Sequence, residues 1–586
     1  MIRYTIKPAC QHLHKFAVSI TCSALPKQQL SLPNWILGSY LIRDFCKHIL
    51  SLSVVNLETR EDLNVTQVTK NSYEIKNENT VAIEINYEVY AWDFSVRGAH
   101  LDQTHGFFNG TCVFFKLVGL EHDPCQLNII APKEWRVATG MRRLTGDKFE
   151  SGLFEAKSYE DLVDYPCEMG DLEIQEFVAN DIMHYLVING RHFGDLARIT
   201  EDLAKICNYE FKMFGNDKIF DSYWFLVTVV DSGYGGLEHN NSTALICNRQ
   251  SLISKHETAV TNDYFNFLGL CAHEYLHNWN VKRIRPQEFI GCDLEREVYT
   301  KQLWAYEGIT SYLDDLIVYK SGLVDSAFYL KAVSNNLSQV LSGSGRLIQD
   351  LYSSSFNAWT KFYQQDENAG NAIVSYYKKG AVFALFLDLQ MRLRTNFKKS
   401  IFDLLILLWT EYGKKNIGTA FDTHQKLVEE VCGCSFTDVF EYLSSCADIP
   451  LDASLQEVGV RLNFKPKTVL NASAFAASSD KPWLDLGIQG RFENNGFYVQ
   501  AVAKDSLAAA AGVSAGDYLI SINKFKIVVG TFNYLLNNLQ QEPEILLHWF
   551  RRDQLFEAVV SNNKAGSKLA ELQVVDASKL DKWLVD

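Results

Sequence analysis

Apolar and polar residues recur at two different spacings along this chain, and the change of spacing divides it. Residues 1 to about 165 carry short runs that alternate with period two, among them KFAVSIT, HILSLSVVNL, TVAIEINYEVYAW and LNIIAP, with turn residues between them. Such alternation puts one face of a strand on a core, so the pattern predicts an N-terminal antiparallel β-domain over 1–165. Asn109-Gly110 in FFNGT is a dipeptide suited to a tight hairpin, with a loop that reaches from this domain toward the active site as the other reading. From about 166 to 460 the period changes. A short strand group containing HYLVING and WFLVTVV is followed by helical spacing over 263–280, 301–321, 324–341, 372–396, 398–412 and 421–432. Residues 461–480 end in small and polar residues and read as a linker. Alternation returns over 481–565, where LGIQGRF and GFYVQAV flank Asn494-Asn495-Gly496 and SLAAAAGV forms a short helix closing on Gly512. Residues 566–586 form either a docking helix or a mobile tail.

The helical region carries the candidate chemistry. His273-Glu274-Tyr275-Leu276-His277 lies inside the apolar stretch YFNFLGLCAHEYLHNW. On a helix the histidines stand at i and i+4, so both imidazoles leave one face and can grip a single zinc ion. Glu274 beside them is the candidate general base for a metal-bound water. Such a site needs a third protein ligand, and Glu307, amid the apolar residues of LWAYEGITSYLDDLIVYKSG, is the candidate. GGLEH, running from Gly235 and Gly236 to Glu238 and His239, follows the strand-like WFLVTVV. A strand ending beside a metal can hold substrate backbone through Gly235 and Gly236, and Glu238 could pair with a free amino group. The other reading is a glycine turn followed by a surface glutamate. VSYYKKGAV offers Tyr376 and Tyr377 as phenols for an oxyanion, and spacing alone does not choose between them or exclude packing. Asp314 and Asp315 are candidates to orient the histidines from behind, or else are exposed helix acids. Cys271 reads as packing. Lys282-Arg283-Ile284-Arg285 reads as a solvated helix end.

Taken together these motifs resemble the glycyl aminopeptidase family, gluzincin metallopeptidases with a C-terminal PDZ domain. The likeness rests on PNWILGSYLIRDFCKHI, YAWDFSVRGAHLDQTHGFFNGT, HEYLHNWNVKRIRP, LWAYEGITSYL, GGLEH and YYKKG. GGLEH is similar to the exopeptidase motif GAMEN of related enzymes, and YYKKG to their YEKG. The resemblance implies a multidomain α+β fold: the β-domain, a thermolysin-like, mainly helical catalytic domain over 166–460, and a PDZ domain over 481–565. It implies one zinc ion on His273, His277 and Glu307, Glu274 as general base, Glu238 on the substrate α-amino group, and Tyr377 on the oxyanion. It also implies a preference for glycine or alanine as the first residue. His239 departs from the asparagine of GAMEN, and Lys378 from the acidic residue of YEKG. GV-x-x-GD-x-L-x-x-IN within 512–523 is the PDZ signature, and Asp485 stands where a peptide carboxylate would dock. Like charges repel, so an intramolecular or regulatory role competes with capture of peptide ends.

Composition narrows the partners. The charge is 56 − 70 = −14, which gives no general attraction to nucleic acid. No run of eighteen apolar residues predicts a membrane span. The N-terminus lacks an apolar signal region, and thirteen scattered cysteines contain no CxxC, so a reduced, cytoplasmic protein is expected. The expected partners are peptides with a free N-terminus and a peptide or intramolecular ligand of the PDZ domain. A zinc endopeptidase with the same metal site, and a non-catalytic PDZ adaptor, are the alternatives.

Overall fold

The computed structural model describes residues 1–466, 484–562 and 568–585. Packing divides it into two compact units, Met1–Val298 with Trp409–Gly418, and Tyr299–Leu408 with Thr419–Asp586.

The first unit opens with an eight-stranded sheet. Its order is Arg142–Thr145, Gly152–Ala156, Cys125–Ile129, Ile2–Cys10, Lys15–Ala24, Val81–Tyr90, Ile49–Asn56 and Asp62–Leu63. The period-two pattern does what it predicts: Phe16, Val18, Ile20, Cys22 and Ala24 face the core, as do Ile83, Ile85, Tyr87 and Val89 on the neighbouring strand. Its pairs are antiparallel with one exception, Ile2–Cys10 beside Cys125–Ile129, which run parallel. Alternation fixes the faces of a strand and leaves its direction open, so this pairing was not readable.

The expected hairpin at Asn109-Gly110 does not form. Asn109 instead ends the strand His105–Phe108 and begins the short helix Gly110–Val113. Its amide donates to the carbonyls of Val96 (2.8 Å) and Gly98 (3.3 Å), which pins the bend at 95–98. Gly110 is needed because a Cβ there would stand 2.6 Å from Val163 Cα. The tyrosines Tyr4, Tyr87 and Tyr159 donate to the carbonyls of Phe115, Val113 and Phe114, fixing the chain that leaves this helix.

The same unit holds a five-stranded mixed sheet in the order Glu173–Ala179, Ile182–Asn189, Ser222–Val230, Ser242–Asn248 and Tyr234–Glu238. Tyr234–Glu238, the GGLEH strand, is therefore an edge, antiparallel to its one neighbour with Glu238 opposite Thr243. The helix Asn262–Leu276 begins at Thr261, whose hydroxyl accepts from the Tyr264 amide at 3.1 Å.

The second unit is mainly helical, with Ile309–Lys320, Ser326–Ser342, Lys378–Arg394, Ile401–Leu408 and Thr423–Cys432 as its longer helices. A smaller sheet follows in the order Ile488–Glu493, Gly496–Val502, Tyr518–Ile522, Glu544–Arg551 and Gln554–Ser561, with helices Leu507–Ala511 and Phe532–Asn538 and its own apolar core. Within it the fully buried Asp517 is clamped by Arg551 through two 2.8 Å bonds. Of the linker segment 461–480, residues up to Pro466 belong to the strand Val460–Pro466, and the remainder lies outside the described residues. That strand pairs with Lys568–Val574, whose amides at Ala570 and Leu572 donate to Ser338 and Ser334 on the helix Ser326–Ser342. The C-terminal residues thus form a strand and a docked helix, Ala577–Leu584, with Trp583 buried near Tyr329. Among the described residues no helix is long and apolar enough to cross a membrane.

Candidate active site

In the first unit, His273, Glu274 and His277 are all buried on the helix Asn262–Leu276 and its C-terminal residue. The two imidazole centroids are 4.6 Å apart on one helix face, as the i, i+4 spacing places them, and the rings are nearly perpendicular. His277 Nδ1 lies 2.7 Å from the Asn280 carbonyl. A carbonyl only accepts, so Nδ1 carries the proton and Nε2 keeps its lone pair, the tautomer of a metal ligand. Tyr275 of the same pentapeptide points the other way, into the five-stranded sheet. Its hydroxyl donates to His184 Nε2 at 2.8 Å, while His184 Nδ1 donates to the Ile182 carbonyl. Burial pushes the His184 pKa down to about 4, which keeps this imidazole neutral and able to accept.

The edge strand closes on that helix through a missing side chain. A Cβ at Gly236 would collide with the Glu274 carboxylate, so the glycine makes the room in which the carboxylate stands. Gly235 has φ +153°, a backbone that side chains avoid. Glu238 is buried at the end of the strand, and Glu238, Glu274 and His277 each offer one ligand atom within 4.8 Å of the others. Sequence spacing left Glu238 open between a surface residue and a site residue; it is not a surface residue.

His239 has a partner of its own. Its Nδ1 is 3.1 Å from Asp164, which also takes the Asn240 amide (3.0 Å) and Lys282 Nζ (2.9 Å). Burial works to raise the Asp164 pKa, and Lys282 with His239 overcomes it, holding it at about 2. The basic run after the helix is therefore not a solvated end. Lys282 locks Asp164, and Arg283 donates to the carbonyls of Asn278, Ile219 and Asn240. Sequence reasoning missed Asp164 and His184 because nothing marks a lone residue for a partner far along the chain. It also missed Arg97, which lies in the bend held by Asn109 and donates to the Gly236 carbonyl at 3.4 Å. A second convergence, His100, Asp102 and His105, is a hydrogen-bonded turn: Asp102 accepts the Thr104 and His105 amides and faces His100 Nε2.

In the second unit, Glu307 sits 1% exposed on a single π-helical turn, Trp304–Gly308, that leads into the helix Ile309–Lys320. Such turns displace one residue from the α-helical register and recur at functional sites. Gly308 meets Gly380 of the YYKKG motif: a Cβ on Gly308 would lie 2.6 Å from Gly380 Cα and 3.0 Å from the Tyr376 carbonyl. The motif is therefore packed against the Glu307 turn. Tyr376 is buried between Phe362 and Tyr377, with ring centroids 4.8 and 4.7 Å away, whereas Tyr377 is half-buried. Lys379 is buried and donates to the carbonyls of Arg346 and Ser445. Asp314 and Asp315 are half-buried rather than exposed.

Residues 3–171 match the peptidase M61 N-terminal domain, and residues 266–383 match the M61 glycyl aminopeptidase domain. A crystal structure of an aminopeptidase N family protein from Idiomarina loihiensis is 42% identical, with a TM-score of 0.96 over 100% of both chains. Aminopeptidase N of Caulobacter vibrioides is 28% identical over 118 residues, which span 20% of this chain and 12% of that protein. The M1 zinc metallopeptidase of Deinococcus radiodurans is 12% identical over 77% of this chain and 94% of that one, with a TM-score of 0.47. The two domain matches and the Idiomarina structure together define a peptidase. The chain carries both M61 peptidase domains and belongs to the aminopeptidase N family of the Idiomarina loihiensis protein.

Proposed function

We propose that this protein is a zinc-dependent aminopeptidase that removes the first residue of peptides, with glycine and alanine as preferred first residues. The observation that carries the reading is the convergence of Glu238 with Glu274 and His277, which sets a carboxylate able to take an ammonium beside the proposed general base. An anionic group there would attract a free ammonium, which a bond inside a peptide chain does not supply.

The donor set suits zinc: two imidazoles, one with its outer nitrogen already committed to a carbonyl, and a buried carboxylate on Glu307. His273, His277 and Glu307 would hold the ion. Zinc, when bound, supplies a Lewis acid and lowers the pKa of a coordinated water to about 7. Glu274 takes the proton of the attacking water on its carboxylate and carries it to the leaving amine. Glu238 pairs with the substrate ammonium, which places the first peptide bond rather than a later one at the site. The edge strand Tyr234–Glu238 offers backbone groups to the extended substrate. The Tyr377 hydroxyl donates to the oxygen that gains charge; Tyr376, closed in by Phe362 and Tyr377, is the poorer donor.

We further read the small C-terminal sheet as a PDZ domain with an intramolecular role. The Gly487 amide, in the loop where a peptide carboxylate would dock, already donates to the Asp485 carboxylate at 2.9 Å. Asn371, outside that domain, accepts from the Lys504 amide (2.7 Å) and donates to the Val502 carbonyl (2.9 Å).

Glu274→Gln tests the enzymatic reading, with metal content measured beside the rate. The variant should bind one zinc per chain like the wild type and lose about 10³-fold in kcat on glycyl-p-nitroanilide. Wild-type protein without zinc, or a variant of undiminished rate, would overturn the reading.

A further inference from the structure

The buried Glu238 carboxylate has an unexpected neighbour, a glycine two hundred residues earlier in the chain. An ideal Cβ on Gly38 would stand 2.5 and 2.6 Å from the two Glu238 carboxylate oxygens and 2.8 Å from the carbon between them. No flexible end can yield here without moving the carboxylate itself, because those atoms are the carboxylate.

Gly38 is held in place by its own local structure. The Ser39 amide donates to the Ile36 carbonyl at 3.1 Å, closing a β-turn with Gly38 as its third residue. Its φ of +84° is the value that the third residue of a type II turn demands. The turn is anchored on both flanks. The Asn34 amide and side chain donate to the carbonyls of Leu294 and Glu295, Trp35 Nε1 donates to Arg296 at 2.9 Å, and Arg43 donates to the Ser39 hydroxyl at 2.7 Å. Ile36 packs with Leu237, the residue before Glu238, in one small apolar cluster. The turn therefore cannot back away from the carboxylate.

We propose that Gly38 is a positioning residue for Glu238: the side-chain-free turn of the N-terminal domain keeps open the volume in which the carboxylate stands, and so sets where the substrate ammonium is held. This rests on the reading of Glu238 as the amine anchor. It gives the N-terminal domain a part in first-residue recognition, and it accounts for the glycine in WILGSY on chemical as well as conformational grounds.

The test compares two glycines with the same backbone strain. Gly215 has φ +81° and nothing within 4 Å of the place a Cβ would take, so Gly215→Ala reports the cost of the backbone alone. Both substitutions should lower the melting temperature, Gly38→Ala by at least as much as Gly215→Ala because it adds the clash to the same backbone strain. Only Gly38→Ala should raise KM for glycyl-p-nitroanilide, by about ten-fold or more, with a smaller change in kcat. In a Glu238→Gln background the same substitution should add less than about two-fold, because the group it displaces no longer binds the amine. Should Gly38→Ala fail to fold, Ser39→Ala loosens the turn without adding a side chain at 38 and should raise KM about two- to three-fold. If Glu238→Gln raises KM while Gly38→Ala behaves like Gly215→Ala, the positioning role is wrong and the amine reading stands. If Glu238→Gln leaves KM unchanged, the amine reading falls and this inference with it.

Discussion

GGLEH and YYKKG share a plan, one candidate site residue near a glycine, and they use the glycine for different ends. In GGLEH the missing side chain at Gly236 admits a carboxylate, that of Glu274. In YYKKG the missing side chain at Gly380 admits backbone, the Cα of Gly308 on the Glu307 turn. One glycine makes room for the proposed general base and the other sets a close approach of two helical segments. Other letters of each motif serve the scaffold: His239 holds Asp164, and Lys379 holds two carbonyls. The departure at His239 therefore has a scaffold role of its own.

The sharpest way to break this comparison is to add one methyl group at each glycine. Gly236→Ala should push the Glu274 carboxylate aside and cost about 10²-fold or more in kcat with a small change in melting temperature. Gly380→Ala, the smallest of the effects expected here, should do the reverse. It should lower stability by about 1–3 kcal/mol through overpacking and leave kcat per folded molecule near that of the wild type. Equal losses of activity in both would show that the two glycines do the same job.

Between those extremes lie the groups that hold the first motif's scaffold. Lys282→Met strands a carboxylate whose side chain is only 15% exposed, and should cost about 3 kcal/mol in urea denaturation. Loss below about 1 kcal/mol would mean that His239 and the Asn240 amide suffice. His184 makes a pH test. Its folded pKa of about 4 lies below the unfolded value near 6.5, so the unfolded chain takes up the proton first. The stability it gives is complete above about pH 6.5 and drains away as pH falls toward about 4. The expected slope is that of one extra proton bound by the unfolded chain, and His184→Gln should remove that slope over the same interval.

What could be read beforehand follows from the range of each signal. The strand faces, the HEYLH helix and the burial of Glu307 came from periodicity and spacing, which are local. The choice of Tyr377 over Tyr376 needed the resemblance to a known motif, because spacing treats the two alike. The parallel pairing of Ile2–Cys10 with Cys125–Ile129 was out of reach, because direction leaves no trace in alternation. The Asn109-Gly110 turn signal was real and misread: Asn109 caps a bend through Val96 and Gly98 instead of closing a hairpin. Asp164, His184, Arg97 and Gly38 matter through contacts that span most of a domain, and no window of sequence contains both partners.

One comparison tests most directly whether Glu238 reads a free amine: hydrolysis of glycyl-p-nitroanilide and of its N-acetylated form by wild type and by Glu238→Ala. The wild type should cleave only the unblocked substrate. The variant should lose about 10²-fold in kcat/KM on it and narrow the gap between the two substrates. A wild type that cleaves the acetylated substrate as well as the free one would contradict that role and make this protein an endopeptidase.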